Sequence, residues 1–426
     1  MVHLMSDDVG LLLRRAGFGP TGGELAAARS AGYATTLSAL TRPTGPDVGA
    51  TSAPVPQLGT DPFAAAPPSG SDQETKARAA RREQAQQLTQ WWLDRMTVAD
   101  HQAVEKLLFF WHGHWATSVV RVGSPQLMLT QHLALRGAAD IKDMAHRMVV
   151  DPALIVWLDG HQNRVGAPNE NLARELMELF LLGIGHYTEA DIKQAARALT
   201  GWRIDLAGNR AFLDPKRHDA GQTTILGSTG AFTAQSLVDL LLGQAACPRF
   251  IAARLWFRYA SATEPLPGAL WEQMAAAFPV PIAMLRVMLA HDAFRATRGT
   301  MVKQPIDWLV GAMRQLGLRP TTIPAKSWGA IVGGLENLGQ RPFAPPSVGG
   351  WPSGGSWLTT SAAASRLVVA RAVASLVRVD RVTPEHLAYL LCIDGWTNRT
   401  YSVLRQVRDT RTLLTLGLVS PEYLVT

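Results

Sequence analysis

An all-α fold is what this sequence predicts, and three observations carry the prediction. Apolar residues recur at three- and four-residue spacing through nearly every long segment. Capping residues, usually Ser, Thr, Asp or Asn, precede many of those segments, and glycines follow them. Strand-like alternation is confined to short pieces near 203–232. The expected architecture is a large irregular helical bundle, or an α/α-toroid-like arrangement, forming a single helical domain over residues 1–426. A small β-hairpin insertion is expected near 203–232.

The 426 residues are enough for one large core, and 47% hydrophobic against 18% charged residues is a globular balance. The net charge of +7 is spread along the chain, and no basic-aromatic repeat marks a specific nucleic-acid surface. Cys247 and Cys392 sit far apart among apolar neighbours, which predicts buried free thiols rather than a disulfide framework or a zinc knuckle. The first twenty residues lack a secretory pattern, since their short apolar run follows two aspartates and is cut by two arginines. No window approaches eighteen uninterrupted apolar residues, so no membrane span is expected and a cytoplasmic location is.

Asp7 or Asp8 is placed to cap a first helix through Leu11–Leu13, which Gly17 to Pro20 then break, and Thr21 starts a second. Residues 41–72 are rich in Pro, Gly, Ser, Thr and Ala and predict a flexible loop or disordered insert. A helix from Gln73 to about Met96 ends in Trp91, Trp92 and Met96. The aromatic stretch Phe109 to Trp115 then demands burial. It contains His112 and His114, which on a helix point about 200° apart and converge only if Gly113 ends it. Helices follow through Met128 to Arg136, Ile141 to Met144 and Asp151 to Trp157. Asp159, Gly160 and Asn163 form a polar loop. After Trp202, two short strands flank Gly208-Asn209, and His218-Asp219 lies in the loop beyond. Helical spacing returns from 233 to 318, with Lys303-Gln304-Pro305 opening one helix. Gly339 to Trp357 has no period, and an ordered loop of that length usually lines something. The rest of the chain is helical again.

The chain is organised around Pro168 to Trp202, which reads as two helices with a tight corner. Asn169 or Asn171 caps the first helix, Gly183 and Gly185 end it, and Thr188 caps the second. At about 100° per residue, Glu170, Asn171, Arg174, Glu175 and Glu178 share one side of the first helix. Leu181 and Leu182 project into the same range, so protein is expected to cover the end of that polar face. The plainer alternative is an exposed Glu170–Arg174–Glu178 ladder at i, i+4 spacing.

These motifs together resemble the bacterial family called domain of unknown function 1800. The likeness runs from Leu13-Arg14-Arg15-Ala16-Gly17-Phe18-Gly19 and Phe110-Trp111-His112-Gly113-His114 to Asn169-Glu170-Asn171, Ala173 to Leu179 and Tyr187-Thr188-Glu189. It continues through Ala198 to Trp202, His218-Asp219, Val302-Lys303, Pro305 and Gly339 to Pro352, and so spans nearly the whole chain. The resemblance implies that many relatives are exported and occur beside a sulfatase-like companion. At Thr223 it implies a lysine that this chain lacks.

Three functional expectations follow. The first is an enzyme, a hydrolase, lyase or transferase acting on a saccharide or other polyhydroxylated substrate. Glu175 and Glu178 would divide acid and base roles, because neighbouring carboxylates push their pKa values apart. His112, His114, His218 and Asp219 would relay protons. Arg174, Glu170, Asn171, Asp159, Asn163 and Lys303 would hold substrate, with Trp202, Trp351 and Trp357 as flat faces for sugar rings. The second keeps those residues and adds a divalent metal held by Glu and His. The third is a non-catalytic assembly or binding partner of a separately encoded enzyme.

Overall fold

Residues 7–379 and 381–426 are described by a computed structural model; the reading of the N-terminus rested partly on residues 1–6, which lie outside them. Caps written into the sequence set many helix starts. Asp7 accepts the Gly10 N–H ahead of Asp8–Ala16, and Thr21 and Glu24 close a capping box on Gly22–Ala31. Ser71, Ser124, Asp140, Asp151, Thr188 and Thr233 do the same further on. Each such cap contributes about 1 kcal/mol. The described residues are about 60% helical, with 24 α-helices and two small two-stranded sheets. That is the mostly all-α fold expected from periodicity.

Both sheets fall in the predicted insertion. Trp202–Asp205 pairs antiparallel with Arg210–Leu213, and Thr223–Ile225 with Ser228–Gly230. In the first turn the Asp205 carboxylate accepts from the Ala207 and Gly208 N–H groups and pairs with Arg210. That wrapping makes the hairpin local.

One contiguous apolar core runs from Leu11 to Tyr423. At its centre the helix Asp72–Val98 meets the helix Gln102–His114. Trp92 there touches the rings of Phe109, His112, His132 and Phe343. Glu105, 2% exposed, accepts from the Trp92 indole and takes both arms of Arg136. Both cysteines are free and buried. Among the described residues no single helix is long and apolar enough to cross a membrane; the apolar pair Ala234–Leu242 and Ala246–Tyr259 is bent by 77°.

The loop 339–357 closes over this core. Phe343 donates its N–H to His112 and accepts from Val119, and Trp351 stacks on Phe109. Gly350 (φ +80°) lies so near the Gly113 carbonyl that a Cβ there would stand 2.2 Å from the oxygen. The loop thus seals an aromatic wall, and Gly113 stays helical beneath it.

Residues 41–72 depart from their composition. They form a strap tied at several points, with one short helix, Val48–Thr51. Asp47 accepts backbone N–H groups from Ala50, Asp100 and His101. Asp61 receives Arg81 and the Ser124 hydroxyl, and Trp91 donates its indole N–H to Ala53. Specific side-chain to backbone ties replace the missing apolar surface. Burial pushes the Asp47 carboxyl up, but the backbone donors outweigh it and hold it below the usual value. Asp47→Ala is expected to cost about 1–3 kcal/mol in urea unfolding and to expose the strap to protease. A variant as stable and as resistant as the parent would show that these ties do not hold the strap.

Candidate functional site

The segment after Asn169 does not continue as an ideal α-helix. The Asn169 side chain accepts the Asn171 N–H, Asn171–Glu175 is α-helical, and Leu176–Leu181 is a π-helix. The N–H groups of Leu182 and Gly183 both return to the Met177 carbonyl, at 2.9 and 3.0 Å. Gly183 (φ +83°) ends the turn against Phe250, where a Cβ would come within 2.9 Å of the ring. The Phe180 carbonyl accepts from His114 Nε2 at 2.9 Å. Wide turns of this kind concentrate at functional sites.

The wide turn redistributes the polar face. Leu181 and Leu182 are buried in the core, while Glu175 and Glu178 stay half-buried at its edge. The expectation from an ideal helix, that the two leucines share the carboxylates' side, fails because a π-turn advances less per residue. Arg174 serves neither carboxylate. It pairs with Glu170 at 3.2 Å and with both oxygens of Glu189 at 2.8 Å. These are exposed pairs of small energetic value, so half of the surface ladder exists and Glu189 completes it.

Glu175 has no hydrogen-bond partner among the described residues. Its carboxyl is raised above the ordinary value, first by burial and then by the charge of Glu178, with Arg174 opposing. Glu178 accepts the Tyr187 O–H at 2.7 Å. Burial, then Glu178, pushes the Tyr187 phenol up to about 12, so it remains a donor. Glu178 also lines a cleft of about 550 Å³, shared with His186, Arg249, Phe250, Arg254 and Trp271. Trp271 donates its indole N–H to the Arg249 carbonyl, and Arg249 pairs with Glu272.

The histidines are placed otherwise than expected. Because Gly113 stays helical, His112 and His114 diverge. His112 Nε2 accepts the Phe343 N–H at 3.1 Å, among Trp92, Phe343 and Trp351. His114 faces Phe180 and Phe250, behind the cleft, and its Nδ1 has no partner. Burial drives both rings down to about 3, so they are neutral imidazoles, and their hydrogen bonds go to backbone groups. A relay from them to the carboxylates has no hydrogen-bonded path among the described residues.

The remaining candidates scatter. His218 Nδ1 lies 3.0 Å from the Thr200 carbonyl, and Asp219 pairs with Arg197. Asn163 is buried and ties Ala196 to Asn169, and Asp159 pairs with Arg121 at the surface. Trp351 and Trp357 are buried in the core, so neither offers a face to a sugar; Trp202 is half-buried. Lys303 is enclosed with its ammonium 3.5 Å from the Tyr423 ring centroid. Thr223, where the resemblance implies lysine, is buried with an unpartnered hydroxyl. Of the predicted set, the structure brings together Glu175 with Glu178 and Glu170 with Arg174. Among the described residues no three His, Cys, Asp or Glu side chains could jointly hold a metal ion, so the divalent-metal expectation finds no ligand set.

The sequence reading missed Tyr187, Arg254 and Trp271 as site residues. Tyr187 follows Glu178 closely and was visible as a motif member. Arg254 and Arg258 stand at i, i+4, a like-charge spacing that is unfavourable unless something uses it. Nothing in the sequence linked Trp271 to the carboxylates.

A family model described as a protein of unknown function (DUF1800) matches residues 11–425. No curated protein and no solved structure matches the chain.

The buried imidazoles generate a pH prediction. Unfolded histidine binds its proton below about 6.5, whereas folded His112 and His114 resist protonation down to about 3. Stability is therefore full above pH 6.5 and falls as pH falls through that window. Each histidine contributes a slope of up to about 1.4 kcal/mol per pH unit. In urea unfolding between pH 7 and 4.5, His112→Gln should flatten the slope by close to one proton. An unchanged slope would show that His112 protonates freely in the folded state.

Proposed function

Taking the chain as what it is, a member of the DUF1800 family, we propose that it is an enzyme performing acid–base chemistry on a polyhydroxylated substrate bound in the cleft beside Glu178. The observation that carries this reading is the Glu175–Glu178 pair, of which Glu178 lines that cleft and Glu175 sits beside it, raised by burial and by its neighbour's charge. Two carboxylates in unequal surroundings are the usual means of splitting proton donor from proton acceptor. Glu175, whose carboxyl burial raises above the ordinary value, is the acid. Glu178, fixed by the Tyr187 hydroxyl, is the base.

The cleft volume suits a small ligand or one to two sugar rings. Phe250 and Trp271 supply apolar faces on its wall, in the role first assigned to Trp351 and Trp357. His114 acts through the backbone: its bond to the Phe180 carbonyl supports the turn that carries Glu178. The reaction is hydrolysis, elimination or transfer, depending on whether Glu178 activates water, a carbon acid or an acceptor hydroxyl.

Turnover is to be sought by screening neutral, amino and acidic oligosaccharides for new reducing ends and for unsaturated products. On a substrate so found, Glu175→Gln is expected to lower kcat by roughly 10²–10⁴. Activity of the parent should fall as pH rises through the Glu175 pKa, because the acid must hold its proton. Glu175→Gln with at least half the parental kcat, or with the same alkaline limb, would overturn the assignment.

A further inference from the structure

Two basic features stand beside cavities. One is a groove of about 620 Å³ lined by Arg78, Arg81, Arg82 and Arg341. Three of these already own a carboxylate: Glu74, Asp61 and Glu336 respectively. Arg82 is exposed and solvated. The groove's charge is therefore largely answered from within the protein.

Arg254 is different. It lies on Ala246–Tyr259, partly buried, and lines the same cleft as Glu178 and Trp271. It has no hydrogen bond and no ion pair among the described residues, and its Nε is sealed from solvent without an acceptor. Its electrostatic neighbours add to the problem. Arg258, one turn on, spends its donors on the Trp351 and Pro352 carbonyls, and His114 is a neutral ring. Burial lowers the Arg254 pKa, with no opposing carboxylate to restore it. Glu178, on the same cleft, is engaged with Tyr187 instead. A guanidinium partly withdrawn from water, with one donor sealed off and no counter-charge, bears a cost that an anion relieves. The described residues supply none, and the cleft leaves room for one from outside.

We infer that Arg254 is the binding residue for an anionic substituent, a carboxylate or a sulfate or phosphate ester, on the substrate of the cleft. The inference rests on the acid–base reading of that cleft and deepens it. A planar guanidinium takes either anion through paired N–H bonds. An anion held there places the uncharged part of the ligand between Arg254 and Glu178, against Trp271. It also selects acidic over neutral ligands, since a neutral one leaves the guanidinium unanswered.

The test is direct binding with glucose, glucuronate, glucose 6-sulfate and glucose 6-phosphate, followed by ligand-observed NMR or calorimetry on the full chain. The parent should bind at least one acidic sugar at least roughly tenfold more tightly than glucose, the worth of one charged hydrogen-bonded contact. Comparison of the uronate with the two esters identifies the substituent. Arg254→Gln should erase the preference, and Arg254→Lys should retain part of it. Glu175→Gln should bind acidic sugars as the parent does, whatever its turnover, so the anion site stands or falls separately from the acid–base assignment. In anion-free buffer, Arg254→Gln should melt no lower than the parent, because it removes an unanswered charge. Absence of any acidic preference in the parent, an undiminished preference in Arg254→Gln, or a Tm several degrees below the parent's would each overturn the inference.

Discussion

The hydrogen bond from His114 Nε2 to the Phe180 carbonyl is the constraint on which the candidate site depends. A π-turn leaves carbonyl groups poorly satisfied, and an unsatisfied carbonyl in this core would be costly. His114 reaches across from another helix to take that carbonyl. It can do so because Gly113 stays helical under Gly350, and the neutral ring carries its one proton on Nε2, towards that carbonyl. The wide turn then parts two sets of residues. Leu176, Met177, Phe180 and Leu181 go inward, while Glu175 and Glu178 remain at the rim.

The aromatic wall around Trp92, Phe109, His112, Phe343 and Trp351 has a related task. It joins residues far apart in the chain and gives the histidine-bearing helix a fixed seat. Burial that drives its imidazoles down keeps them from carrying charge into the core. Buried charge is met instead by opposite charge, Glu105 by Arg136, Asp94 by Arg319 and Arg14 by Asp394. Against that background Arg254 stands out, because it lines the cleft with neither an acid nor a carbonyl acceptor among the described residues.

Much of the fold was legible because its signals are local. Thr21 with Glu24, Thr188 with Asp191 and the Asp205 turn each act within a few residues, and sequence reports such interactions directly. Family membership was legible from motifs spread along the chain. The site was only partly legible. Glu175 and Glu178 were found from their shared helix face, but that argument assumed a uniform helical step, which the π-turn breaks. Trp351 and Trp357 were read as platforms for sugars because buried and exposed tryptophans look alike in a sequence. The order in residues 41–72 was missed because single aspartates, Asp47 and Asp61, do what apolar surface usually does. Arg254 was missed because what distinguishes it is a partner that is not there.

The central claim is that Glu175 and Glu178 feel one another at a sheltered edge beside the π-turn. Carbon-13 NMR titration of the glutamate carboxyls in the parent and in Glu178→Gln tests it most directly. The account predicts that Glu175 titrates above the ordinary glutamate range and moves down when residue 178 loses its charge. A Glu175 midpoint at the ordinary value, indifferent to the change at 178, would contradict it.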